Sequence, residues 1–258
     1  TERYLFGGVV SILREGESLG SFYLYESNGV FSTAKEAAEA GYIDKISKSN
    51  GGQPVAGDAR WVDQNKDGVI DTKDKIIAGN PIPDFTGGLN NTFKYKGLSL
   101  DAFFQFSKGN DVYNNFRTDL VRGFNTNYLK ENLDAWKQEG DITDVPRNVL
   151  LDPANNSEGV VARPSTRFLE DGSFIKLKTV TLTYEFPNSV LEKLKLSGLK
   201  VYAKGTNLLT ITKYSGFDPE VSVAQNNNAG QNGGFQFGID RGLYPLSKSI
   251  TLGLSLDF

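Results

Sequence analysis

The stretch GLSLDAFFQFSKG, residues 97–109, decides the fold. Leu98, Leu100, Ala102, Phe104 and Phe106 share one register. Ser99, Asp101, Gln105 and Ser107 share the other, with Phe103 the exception. Side chains of a strand alternate between two faces, so period-two alternation predicts a strand with one apolar side. Directly upstream, DFTGGLNNTFKYKG (84–97) sets Phe85, Leu89, Phe93 and Tyr95 against Thr86, Asn90, Thr92 and Lys94. The tight YKGL junction makes the two a hairpin.

The same alternation recurs outward from this hairpin. In SFIKLKTVTLTYEF (173–186), Val180, Leu182, Tyr184 and Phe186 alternate with Thr179, Thr181, Thr183 and Glu185. In LKVYAKGTNLLTIT (199–212), Leu199, Val201, Ala203, Leu209 and Ile211 oppose Lys200, Lys204, Thr206 and Thr210. The terminal SKSITLGLSLDF (247–258) aligns Ile250, Leu252, Leu254, Leu256 and Phe258. Near the start, RYLFGGVVSIL (3–13) and LGSFYLYES (19–27) predict a further antiparallel pair. The expected total is about seven strands, an odd number that would leave two unpaired edges.

Connection lengths then separate two all-β classes. Short links at 14–18, at Gly97 and at 188–197 alternate with long ones at 28–83, 109–171 and 213–241. In an antiparallel meander, alternate connections lie at opposite ends. All short turns therefore fall at one end and all long loops at the other, as in a transmembrane β-barrel. A soluble sandwich has no reason to sort its loops, and long structureless loops are uncommon inside compact domains. Aromatic residues beside the short turns (Phe93, Tyr95, Tyr184, Phe186 and Phe258) fit an interfacial girdle.

Composition removes other classes. The 258 residues contain no cysteine, no histidine and no methionine, and carry a net charge of −3. Thiol nucleophiles, thiolate metal sites and the commonest general base are excluded. Lysine and arginine are scattered, so no basic stripe suits nucleic acid. No apolar run approaches the ~20 residues of a membrane helix, which leaves membrane strands untouched. A chain that opens on Thr1 without methionine is expected to be a processed product or a portion of a longer protein.

One segment carries ligand chemistry. In DQNKDGVIDTKD, Asp63, Asn65, Asp67, Gly68, Asp71 and Asp74 occupy positions 1, 3, 5, 6, 9 and 12 of an EF-hand-like loop. Val69 would add its carbonyl, and Ile70 would tuck inward. This all-oxygen set predicts a structural Ca²⁺, with Mg²⁺ as the other candidate, although the aspartate at position 12 has a shorter reach than glutamate. The alternative is a solvated turn rich in Asx residues, without metal. Pro81 and Pro83 rule out the helix that would follow in an EF-hand.

With these residues in view, the chain resembles the C-terminal barrel region of SusC/RagA-type TonB-dependent transporters. The motifs are Gly57-Asp58, Asp63 to Asp71, Gly79-Asn80-Pro81-Ile82-Pro83 and Gly109-Asn110-Asp111, followed in order by FLEDGSFIKLKTVTLTYEFP, YSGFDPEV and YPLSKSITLGLSLDF. The resemblance implies that residues 1–258 supply part of a larger barrel of about 22 strands. It further implies that the plug and upstream strands belong elsewhere, and that 57–83 is an extracellular loop. Function is then expected to be outer-membrane import of oligosaccharides or peptides. A SusD-like surface lipoprotein, the TonB complex, the rest of the transporter and membrane lipid are the implied partners. The final strand with its terminal aromatic would be the signal read by the barrel-assembly machinery.

Substrate-binding residues are not assigned. Tyr113, Phe116 and Trp136 are candidates to stack on sugar rings, with packing inside their loop as the alternative. NYLKENLDAWKQEG (127–140) predicts a short amphipathic helix, with Leu129, Leu133 and Trp136 on one face. The rival readings are a soluble secreted β-domain acting as an adhesion module, braced by a calcium loop, and a glycosidase with paired carboxylates. No such pair is marked, so no catalytic residue is expected.

Overall fold

The structure, a computed structural model, describes residues 3–5, 10–47, 49–121, 127–149, 157–158, 161–221 and 237–258. The chain divides into two compact units. One comprises Pro83–Asn110, Asp171–Glu220 and Tyr244–Phe258; the other comprises Thr1–Ile82, Asp111–Glu170 and Val221–Leu243.

The first of these is an antiparallel sheet of five strands in consecutive order. They are β1 (Phe85–Tyr95), β2 (Leu98–Lys108), β3 (Phe174–Glu185), β4 (Gly198–Thr212) and β5 (Ser249–Asp257). Lengths of 11, 11, 12, 15 and 9 residues meet or exceed the roughly 9–11 residues that a tilted strand needs to cross hydrocarbon. Lys96 and Gly97 both have positive φ, 46° and 82°, which closes β1–β2 in a two-residue hairpin whose twist suits the strands. Gly97 is also required by space: a Cβ there would lie 2.6 Å from the Glu185 carbonyl oxygen. The β3–β4 link is a short helix, Asn188–Leu194, ended by Lys195 in the left-handed region. Both short links therefore lie at one end of the sheet, and the chain leaves for its long excursions from the other.

A bulge keeps the faces sorted. Along β3, Lys178 is skipped in the pairing with both β2 and β4. Ile175 and Leu177 thereby join Val180, Leu182 and Tyr184 on one face, despite the change from odd to even numbers. That face also carries Leu89, Phe93, Leu100, Phe104, Val201, Leu209, Ile250, Leu252 and Leu254. The opposite face carries Thr92, Asp101, Gln105, Lys176, Thr181 and Lys204. Phe103, the apolar exception, lies over Gly88, where a Cβ would come within 2.7 Å of its ring.

The apolar face is bare. Ile250 and Leu252 are 77% and 78% exposed, and Phe93 is 63% exposed. Among the described residues, neither hydrophobic core includes any member of this register.

Both cores belong to the other unit. Val10, Phe22, Leu24, Tyr113, Val121, Phe168 and Ile239 form one; Tyr25, Ala59, Trp61 and Ile70 form the second. The pair expected at 3–13 and 19–27 is found here, as Ser11–Leu13 and Ser21–Tyr25 in a small sheet with Arg3–Leu5 and Lys75–Gly79. The long sheet thus has five strands rather than about seven. Phe22 and Leu24 are fully buried, so alternation there reports a packed interior rather than a bare face. Expected helical packing at 127–140 is also corrected. Only a 3₁₀ turn, Lys130–Asp134, forms, with Leu133 71% exposed while Leu129 packs on the core.

Candidate functional site

The polar face of the long sheet holds a concentrated charge cluster. Lys176, 2% exposed, ion-pairs with Asp218 and reaches Glu220 at 2.6 Å. Lys178 reaches the same Glu220 oxygen at 2.6 Å, and Gln105 donates to the other at 3.3 Å. Residues two apart in a strand share a face, so Lys176 and Lys178 can reach one acceptor; the unpaired Lys178 sits at the bulge beside it. Both acids come from YSGFDPEV, whose turn is held by the Glu220 amide donating to Asp218 at 2.9 Å. Burial pushes the Asp218 and Glu220 carboxyls up, but the lysine hydrogen bonds and charges outweigh it and hold both below the ordinary range. The arrangement straps the segment after β4 onto the polar side of the sheet. Sequence reading missed all four charges. Two lysines interrupting a run of threonines, and two acids spaced by one proline, were the available signal.

The acidic loop lies in the other unit. Gly68 takes φ of 78°, and Ile70 is fully buried. Asp63 accepts the amides of Lys66 and Gly68, each at 2.8 Å. Asn65 accepts the Asp67 amide, and Asp67 the Val69 amide. Asp74 turns away: fully buried, it accepts the amides of Gln64 at 3.0 Å and Asp71 at 2.8 Å, while Asp71 caps the 3₁₀ turn Thr72–Asp74. Among the described residues, no three acidic side chains converge as a metal-holding group. The fit to a cation is partial. Asp63, Asn65, Asp67, the Val69 carbonyl and Asp71 have the right oxygen chemistry, and Asp74 is committed to backbone amides.

The Gly57-Asp58 and Gly79-Asn80 pairs have structural work. Gly57 leaves room for the Trp136 ring, which a Cβ would meet at 2.4 Å. Asp58, 2% exposed, pairs with Arg147 at 2.8 Å. Asn80 and Asp111 clasp each other: the Asn80 amide donates to the Asp111 carboxylate at 2.9 Å, and the Asp111 amide to the Asn80 carbonyl at 2.7 Å. The candidate sugar-stacking aromatics are packed. Tyr113 is 1% exposed, its phenol pushed up by burial; Trp136 donates its indole N–H to the Ser32 carbonyl; Phe116 covers Gly242. Much of the loop expected at 213–241 lies outside the described residues.

Comparisons with known proteins bear on this arrangement. No family model matches the chain. It is 36% identical over 247 residues to TonB-dependent receptor P3 of Formosa agariphila, covering 96% of this chain and 23% of that receptor. It is 34% identical to TonB-dependent receptor P26 of the same organism, covering 98% of this chain and 24% of that receptor. Identity to TonB-dependent receptor SusC of Bacteroides thetaiotaomicron is 29%, covering 86% of this chain and 20% of SusC. The solved RagAB peptide transporter matches all of this chain and 25% of its own, with a TM-score of 0.69 and 28% identity. The chain spans about a fifth to a quarter of the length of these relatives.

Proposed function

Because the chain is a β-barrel segment of the SusC/RagA family of TonB-dependent receptors, we propose that it forms part of the wall and outer loops of an outer-membrane importer. One observation carries this reading: five strands of membrane-crossing length carry a continuous apolar register that, among the described residues, stays largely exposed and joins neither hydrophobic core. Lipid satisfies that face, and a hydrated lumen satisfies the polar one. The soluble adhesion reading lacks such support, since it needs the register enclosed. Cargo would be oligopeptide, by analogy with the RagAB peptide transporter, or oligosaccharide, as the family resemblance implies. A SusD-like surface lipoprotein would cap the importer, and TonB would engage the remainder of the transporter. No reaction is assigned to these residues.

The chain has no cysteine, which makes accessibility mapping clean within it. In the full transporter in intact outer membranes, Leu252→Cys should react with a lipid-soluble thiol reagent and resist a charged one. Thr181→Cys should show the reverse preference. Equal protection of Leu252→Cys from both reagents would place it in a protein interior and end the reading.

The proposal includes a hard cation, Ca²⁺ before Mg²⁺, at the turn of Asp63, Asn65, Asp67, Val69 and Asp71. Bound there, it would neutralise facing carboxylates and brace the loop. Calorimetry on the full transporter should give weak saturable heat with Ca²⁺, abolished in Asp63→Asn/Asp67→Asn. Absence of saturable heat from the unaltered protein removes the cation from the proposal.

A further inference from the structure

At the end of the sheet where the long connections leave, the apolar register changes character. Following Phe104 and Phe106, the next residue in register on β2 is Lys108; following Leu209 and Ile211, the next beyond β4 is Lys213. Phe85 sits directly opposite Lys108. Between them lies an open cleft of about 410 Å³, lined by Phe85, Phe106, Ile175 and Ile211 with the two lysines. Phe85, Ile175 and Ile211 are each at least half exposed, at 56%, 50% and 59%. The Phe85 and Phe106 rings meet edge to face at 6.1 Å, and Gly87 admits Phe106, whose ring a Cβ there would meet at 2.5 Å.

The charges around this cleft are few. Asp171 is the one carboxylate on its lining. It is engaged by Ser173, whose amide donates to it at 2.9 Å. Those Ser173 bonds, and then the fields of Lys108 and Lys213, hold its carboxyl below the ordinary range. Among the described residues neither lysine is in an ion pair within 4.0 Å. Two lysines against one carboxylate leave the rim with net positive charge, above a floor of aromatic and branched apolar groups.

We propose that this cleft binds one anionic lipid, with an acyl chain along Phe85, Phe106, Ile175 and Ile211 and its phosphate between Lys108 and Lys213. The inference rests on the barrel reading, because only then does this register face lipid. A lysine ending an apolar column keeps its stem in hydrocarbon and its ammonium at the headgroup level. Pairing two such lysines around one groove adds chemical selection to that general anchoring.

The test uses the full transporter in phosphatidylcholine nanodiscs doped with phosphatidylglycerol, with bound lipids counted by native mass spectrometry. The unaltered protein should retain phosphatidylglycerol over phosphatidylcholine. Each lysine near a surface contributes about fivefold in affinity, so Lys108→Gln/Lys213→Gln should bind roughly thirtyfold more weakly. Phe85→Ala/Ile211→Ala should also weaken retention. Lys204→Gln, on the polar face, should not. No preference in the unaltered protein, or full preference in Lys108→Gln/Lys213→Gln, overturns the site. Failure of the barrel reading looks different: the transporter is then recovered without detergent and carries neither lipid.

Discussion

Lys176 shows how one side chain can hold a loop. Its ammonium is almost fully buried and faces two carboxylates. Removing one partner of a buried pair strands the other charge and costs about 3–5 kcal/mol. Asp218 and Glu220 keep some solvent contact, so Lys176→Met should fall at or below the low end, about 2–3 kcal/mol after allowing for screening. Hydrogen exchange should report it as faster exchange confined to the residues around 214–221. An unchanged exchange pattern would show that the strap contributes nothing. The sign of the pH dependence follows from the same groups. Their folded carboxyls sit below the ordinary value, so the stabilisation is fully present above that value. It is lost as pH falls through the folded values, so acid should loosen the strap and neutral pH should leave it flat. Glu220→Gln should blunt that acid sensitivity.

At the scale of the strand, the bulge at Lys178 is the device that makes β3 amphipathic along its whole length. Strict alternation runs from Val180 to Tyr184 and again at Ile175 and Leu177, but out of phase. A one-residue shift flips every side chain to the other face. Deleting Lys178 should therefore either rotate Ile175 and Leu177 into the polar face or force a new bulge nearby. The expected outcome is loss of folded, heat-modifiable transporter from the outer membrane, whereas Lys178→Ala, which keeps the extra residue, should assemble. Normal assembly of the deletion would mean that the bulge is dispensable. Alternation in the sequence announced the strand, yet the phase change within SFIKLKTVTLTYEF showed only once the pairing on both sides was known.

For the whole molecule, exposed apolar area and open edges set the conditions of stability. The long sheet ends in β1 on one side and β5 on the other, each with an unpaired edge among the described strands. Such edges template aggregation in water and are untenable in lipid unless closed by further strands. Produced alone without detergent, this chain should precipitate; a monodisperse, soluble monomer would contradict the barrel segment. The sequence by itself determined the long strands, the hairpin at Gly97 and the alternation of short and long connections between those long strands, because period two and turn chemistry are local properties. It also carried the motifs that mark the family. Only the tertiary structure decided that the first strand pair joins a buried core, that Tyr113 and Trp136 are packing residues, and that YSGFDPEV is strapped to Lys176 and Lys178. Those outcomes depend on contacts between residues far apart in the chain, and alternation looks the same whether the apolar side meets lipid or another layer of protein.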